Sequence, residues 1–199
     1  AEPGAPKRWR LWFTISLART AVFPPDHVST FPGEELLTNA LFSPTLPTIM
    51  KRVSIGSWAY TIGPYADKPV DFETVCSKLA ELGFDGLELG GFPPHPNPDD
   101  MTTAEQRQQV VEQMKRHGLE FSGLAANLWG ENLIDTDDPS KYIAEFTKNC
   151  EFSRDLGIRG IRVDTVQPPT IFDKMDPDTA FKRVVGTFGT CNEIAKDHG

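Results

Sequence analysis

From Met50 onward the spacing of apolar residues switches repeatedly between two periods. Residues Arg52–Tyr60 alternate, with Val53, Ile55 and Ala59 on one side and Ser54, Gly56, Trp58 and Tyr60 on the other, which is the period of a strand. Beyond Pro69 the spacing lengthens. Asp71 suits an N-cap, and Phe72, Val75, Leu79 and Leu82 fall on one helical stripe. A short strand Gly86–Leu89 follows, then a helix that begins at Thr102 or Thr103 and carries Val110, Val111 and Met114. The third strand is Glu120–Asn127. Asp138-Pro139 announces a third helix through Ile143, Phe146, Cys150 and Leu156. The fourth strand is Ile161–Asp164. Asp176-Pro177 opens a fourth helix expected to bury Phe181, Val184, Val185, Phe188, Cys191 and Ile194.

One phrase recurs at each helix end. Leu82-Gly83 leads into Gly86–Leu89, His117-Gly118 into Glu120–Asn127, Leu156-Gly157 into Ile161–Asp164, and His198-Gly199 closes the sequence. These glycines are 35, 39 and 42 residues apart, a spacing that fits one strand and one helix per repeat. Glycine suits the left-handed position that ends a helix because it has no Cβ to clash there.

Four strand–helix units in succession predict parallel strands with right-handed crossovers. Strands of an open, doubly wound sheet are covered on both faces and read as continuously apolar. Here Glu88, Arg162 and Asp164 alternate with Leu87, Leu89, Ile161 and Val163, so one face meets helices and the other meets an interior that accepts charge. The strand-to-helix loops 61–70, 90–101, 128–137 and 165–177 are long, while the helix-to-strand links are short. That asymmetry belongs to a (β/α)8 barrel, whose chemistry sits at the strand C-termini. The expected fold class is therefore α/β, of TIM-barrel type, truncated to about four βα units. Residues 50–199 then form the N-terminal half of a barrel, whose open sheet edges invite self-association.

Residues 1–49 do not share the repeat. They hold seven prolines and no sustained period, and read as an unstructured leader or a mispredicted upstream extension, with Met50 as the natural start. Lys7, Arg8, Arg10 and Arg19 balance Glu2, Asp26, Glu34 and Glu35, so the net charge of −8 belongs to the remainder. An acidic domain repels phosphate backbones, which argues against a nucleic-acid partner. No apolar run is long enough to cross a membrane. Cys76, Cys150 and Cys191 sit singly in predicted helices, the pattern of reduced, buried thiols in a cytoplasmic protein. No Gly-rich phosphate cradle, H-E-x-x-H or G-x-S-x-G occurs.

Gly83-Phe84-Asp85-Gly86-Leu87-Glu88, the aromatic first strand with Trp58 and Tyr60, and Leu156-Gly157 followed by Ile161-Arg162-Val163 resemble the xylose isomerase-like TIM barrel superfamily. The resemblance covers 50–199. It implies a sugar or sugar-phosphate isomerase or epimerase that shifts a proton between adjacent carbons, or else a hydro-lyase of the inosose dehydratase kind. It also implies a divalent metal (Mn, Mg, Co or Zn) at the barrel mouth of the full-length parent. In that branch the ligands come from strands five to eight, so no metal ligand is assigned in this chain and catalysis by the fragment alone is not expected. The endonuclease IV branch places histidines where this chain has Asn127 and Asp164, which disfavours DNA repair.

Six residues are candidates for contact with a small sugar or polyol substrate: Trp58, Tyr60, Glu88, His95, Asn127 and Asp164. Trp58 and Tyr60 offer flat apolar faces for a sugar ring, or fill the core. Glu88 either bonds substrate hydroxyls or pairs with the inward-facing Arg162, since a buried carboxylate is costly alone. Asn127 and Asp164 end strands, and His95 lies in the proline-rich second loop. Trp129, in the third loop, either closes over a substrate or anchors its loop.

Overall fold

The computed structural model describes residues 51–131, 133–165 and 169–199, together with the backbone of 12–15. The helix-start signals are used nearly as read. In α1 (Phe72–Glu81) the Asp71 carboxylate accepts the Thr74 N–H at 2.9 Å. In α2 (Ala104–Arg116) Thr103 and Gln106 bond reciprocally as a capping box. The third helix, α3 (Ser140–Leu156), starts one residue later than predicted. Pro139 is its cap, and Asp138 accepts the Ser140 N–H at 3.0 Å from outside. In α4 (Pro177–His198) Asp176 accepts the Thr179 N–H, and Pro177 stands in the first turn. The four stop glycines, Gly83, Gly118, Gly157 and Gly199, have φ of 77°, 67°, 72° and 85°. Every helix therefore leaves by the same left-handed turn.

The strands are β1 (Trp12–Ile15), β2 (Arg52–Gly56), β3 (Gly86–Gly91), β4 (Glu120–Ala126) and β5 (Ile161–Arg162). They pair in sequence order and all in parallel. A doubly wound sheet reverses its direction of growth at a switch point. Here each strand is laid beside the previous one, and helices α1, α2 and α3 pack on a single face with Leu87, Leu89 and Leu124. The units from β2 to α4 thus form a curled α/β layer of barrel type. A second apolar cluster joins Leu128, Leu133 and Ile134 to Tyr142, Phe146 and Cys150 of α3 and Ala180 and Cys191 of α4.

Several expectations shift. The strand predicted over Arg52–Tyr60 is β2 and stops at Gly56, and Ser57–Tyr60 is a 3₁₀ turn rather than its continuation. The Ser57 hydroxyl accepts the Gly90 N–H at 2.8 Å, which turns the chain across β3. Val53 is exposed rather than buried. The strand predicted over Glu120–Asn127 is β4 and ends at Ala126. Leu82 is 60% exposed, since it forms the cap of α1 and points past the stripe. In α3 Ile143 is only half-buried, while Tyr142 and Phe152 are buried. In α4 Phe181 and Val185 are 69% and 52% exposed, whereas Ala180, Thr187 and Cys191 are buried. That helix packs on α3 along one flank, and the predicted stripe straddles the flank that has no neighbour among the described residues.

Residues 1–49 were expected to be unstructured, yet Trp12–Ile15 lies alongside β2. The rest of that stretch, including Lys7–Arg10 and the join at Met50, falls outside the described residues. Among the described residues no helix is long and apolar enough to cross a membrane.

Candidate functional site

The face of the sheet opposite the helices carries a cluster of charge. Strand β3 is buried along its whole length, so the inward Glu88 sits only 7% exposed. An ionised carboxylate at such a depth needs partners. Glu88 has two: its Oε2 accepts the Trp58 indole N–H at 2.8 Å, and its Oε1 lies 3.4 Å from Nε of Arg162 on β5. The Arg162 guanidinium also lies 3.7 Å from Oδ2 of Asp164 and 5.3 Å from the centre of the Trp58 ring. Four side chains from three strand ends are thereby tied into one network.

Two glycines make room for it. A Cβ on Gly56 would fall 2.1 Å from Trp58 Nε1, and one on Gly90 would fall 3.0 Å from Trp58 Cβ. Trp58 folds back over the end of β2 because position 56 has no side chain. Beside the network is a cleft of about 80 Å³ that touches Trp58, Phe92, Ala126, Trp129, Arg162 and Asp164. This is a subsite rather than a whole ligand pocket. The Phe92 and Trp129 rings meet at 5.7 Å across it, joining the loops after β3 and β4.

A larger cavity, about 510 Å³, lies between α3, α4 and β5. It is lined by apolar groups such as Phe146, Ile161 and Phe188, and runs to Gly157 and Arg159 at the start of β5. Its two thiols, Cys150 and Cys191, are both pushed up to about 11, chiefly by burial, and offer no thiolate. The chemistry-bearing side chains converge at the other end, on the small cleft.

Of the six sequence candidates, Trp58 and Asp164 line the cleft, and Glu88 stands directly behind it. The other three do not join them. Tyr60 turns to the helix side with its ring 5.9 Å from Tyr65, and burial, then the nearby Tyr65, raise its pKa. His95 is 1% exposed; its Nε2–H donates to the Val70 carbonyl at 2.9 Å and its ring meets Phe72 edge-on. Asn97 holds that loop, donating to the His95 carbonyl and accepting from the Asp99 and Asp100 N–H groups. Asn127, half-buried just past β4, is not among the residues that line the cleft. Phe92 and Ile62 complete the cleft wall, and no local signal in the sequence marks them.

The donor set does not fit a metal cage. Among the described residues no three His, Cys, Asp or Glu side chains gather around a common point. Glu88 and Asp164 are both turned to a cation the chain itself supplies, Arg162.

A family model described as xylose isomerase-like TIM barrel matches residues 76–199. Among solved structures, D-psicose 3-epimerase with D-tagatose from Clostridium cellulolyticum H10 is 18% identical, with a TM-score of 0.51, over 73% of this chain and 49% of that one. A D-psicose 3-epimerase in the presence of D-fructose has a TM-score of 0.49 at 18% identity, over 73% of this chain and 49% of that one. The 3-keto-D-glucoside 4-epimerase of E. coli has a TM-score of 0.45 at 16% identity, over 66% and 49%. The first likeness is one of fold. The chain spans about half the length of each of these structures. No curated protein matches it in sequence.

Proposed function

Because the chain belongs to the xylose isomerase-like TIM barrel family, we propose that it supplies one side of the substrate pocket of a sugar or sugar-phosphate isomerase or epimerase. One observation carries this reading: Trp58, Arg162 and Asp164 meet at the strand C-termini beside the Phe92–Trp129 pair. Barrel enzymes build their active sites at that end. Polyhydroxylated ligands ask for apolar ring faces flanked by a few oriented donors and acceptors. Arg162 N–H groups donate to substrate hydroxyls, and the Asp164 carboxylate accepts from them. Glu88, too deep to reach substrate, fixes the Trp58 indole and the Arg162 guanidinium.

A divalent metal in the parent enzyme would polarise a carbonyl or hydroxyl oxygen and ease proton transfer at the adjacent carbon. The described residues make no cage for such an ion, so their part is to bind and orient the ligand and to keep water off its apolar face.

The test is titration of the protein with free ketohexoses, read by tryptophan fluorescence. A saturable change is expected in the natural sequence and at least about a tenfold loss of affinity in Arg162→Ala, which removes charge-assisted hydrogen bonds. Saturation that is equally strong in Arg162→Ala sinks the proposal, as does a flat titration with the natural chain.

A further inference from the structure

Arg162 is the only cation among the described residues that line the cleft, and carboxylates lie on two sides of it. Glu88 lies 3.4 Å from it and cannot swing away, because its second oxygen is held by the Trp58 indole. Asp164 lies 3.7 Å away on the open side. Two carboxylates against one guanidinium leave the group negative. An arginine that reads a phosphate uses its fork of N–H donors for a bidentate bond; here one terminal nitrogen lies 3.7 Å from Asp164, so a phosphate on that fork would sit against a carboxylate.

The loops at this end of the sheet repeat that sign. The loops after β3 and β4 carry Asp99, Asp100, Glu131, Asp135, Asp137 and Asp138, while Lys68 and Lys174 are the lysines of the neighbouring loops. Lys148 of α3 and Arg183 of α4 are each bonded to an aspartate of these loops, Asp99 and Asp137. Helix N-termini are the usual backbone cradles for phosphate. Here the first turns are met by the chain's own acceptors: Asp71 at α1, Thr103 at α2, Asp138 at α3 and Asp176 at α4. A phosphate ester, with a charge of about −1.5 to −2 at neutral pH, would meet a carboxylate at α1, α3 and α4 and an already bonded first turn at α2.

We propose that this cleft takes an uncharged polyhydroxy ligand, a free ketose or cyclic polyol, and rejects phosphate esters and carboxylates. Glu88 and Asp164 set that specificity through their hold on Arg162. The inference rests on the sugar reading above and narrows its substrate class.

The experiment compares a free ketohexose, its 1- and 6-phosphates and inorganic phosphate, titrated by tryptophan fluorescence into the full chain and into Asp164→Asn. Asparagine keeps the shape at 164, and the bond from Tyr142 goes to the backbone carbonyl of that residue, so the fold is retained. The free sugar is expected to bind at least about tenfold more tightly than its phosphates, since like charges in contact are strongly disfavoured. In Asp164→Asn that gap is expected to narrow about tenfold through tighter binding of the phosphates, the amide oxygen still accepting from a ligand hydroxyl. Phosphate esters that bind the natural chain as well as the free sugar overturn the inference, and so does a ratio that Asp164→Asn leaves unchanged. Inorganic phosphate separates the two readings if no sugar binds. Silence in the natural chain with a response in Asp164→Asn upholds the charge arrangement while the sugar reading falls; a response in the natural chain overturns the inference itself.

Discussion

The indole of Trp58 fills the space that a side chain at position 56 would need, 2.1 Å from where that Cβ would lie. Gly56→Ala should therefore expel the ring from its place over β2. The expected cost is about 1–3 kcal/mol of overpacking, with a changed near-ultraviolet circular dichroism spectrum as the check. Glu88 poses the complementary test. Glu88→Gln keeps an acceptor for the indole, whereas Glu88→Ala leaves Trp58 Nε1 and Arg162 without it. Urea unfolding should show Ala to be the more damaging by about 1–3 kcal/mol, the cost of leaving the indole N–H without its acceptor; equal midpoints would contradict that hydrogen-bonding role. His95 supplies a pH dependence. Burial holds its pKa below the ordinary value of 6.5, opposed by the Val70 bond and by Asp71. Its Nδ1 is buried and has no hydrogen-bond partner among the described residues. The folded state disfavours the proton that the unfolded chain accepts, so stability falls as pH drops below 6.5 and levels off below the depressed folded value. Unfolding midpoints between pH 7 and pH 5 should fall more steeply for the natural chain than for His95→Gln.

Among the elements, starts and stops were plain in the sequence and burial was not. Asp71, Thr103 and Asp176 cap as their chemistry dictates, and Thr103→Ala should cost about 1 kcal/mol in denaturant unfolding, with loss of the reciprocal Gln106 bond. These signals are local, since each needs only the backbone two or three residues away. The buried stripe of α4 was misplaced because period alone fixes which residues share a face, not which face meets a neighbour. Phe181 and Val185 are as apolar as Val184 and Phe188, but they look away from α3. The turn at Ser57–Tyr60 was hidden for a similar reason. Alternation continues through it in sequence, while a hydroxyl-to-backbone bond to Gly90 ends the strand in space.

For the molecule as a whole, the order of the strands distinguishes a curling layer from a flat doubly wound sheet. The sheet grows in one direction from β1 to β5, and β5 pairs through two residues only, Ile161 and Arg162. Its outer side has no strand partner among the described residues, and Phe181 and Val185 lie exposed on α4. Such edges and patches invite association. Sedimentation equilibrium should accordingly show a mass that rises with concentration, and the double change Phe181→Glu with Val185→Glu should reduce it. A strictly monomeric natural chain at high concentration would remove this expectation.

The sequence by itself determined the repeat, the parallel α/β class, the caps and the left-handed stops, because each depends on contacts within a few residues. The pairing of Glu88 with Arg162 was also legible, since alternation puts both on the inward face. Only the tertiary structure decided which candidates meet. It drew Trp58 and Asp164 together with Phe92 and Trp129, and turned Tyr60 and His95 toward the helix layer. The physical reason is that a loop side chain takes its direction from whatever packs beneath it. For His95 that was Phe72 and the Val70 carbonyl, both more than twenty residues away along the chain.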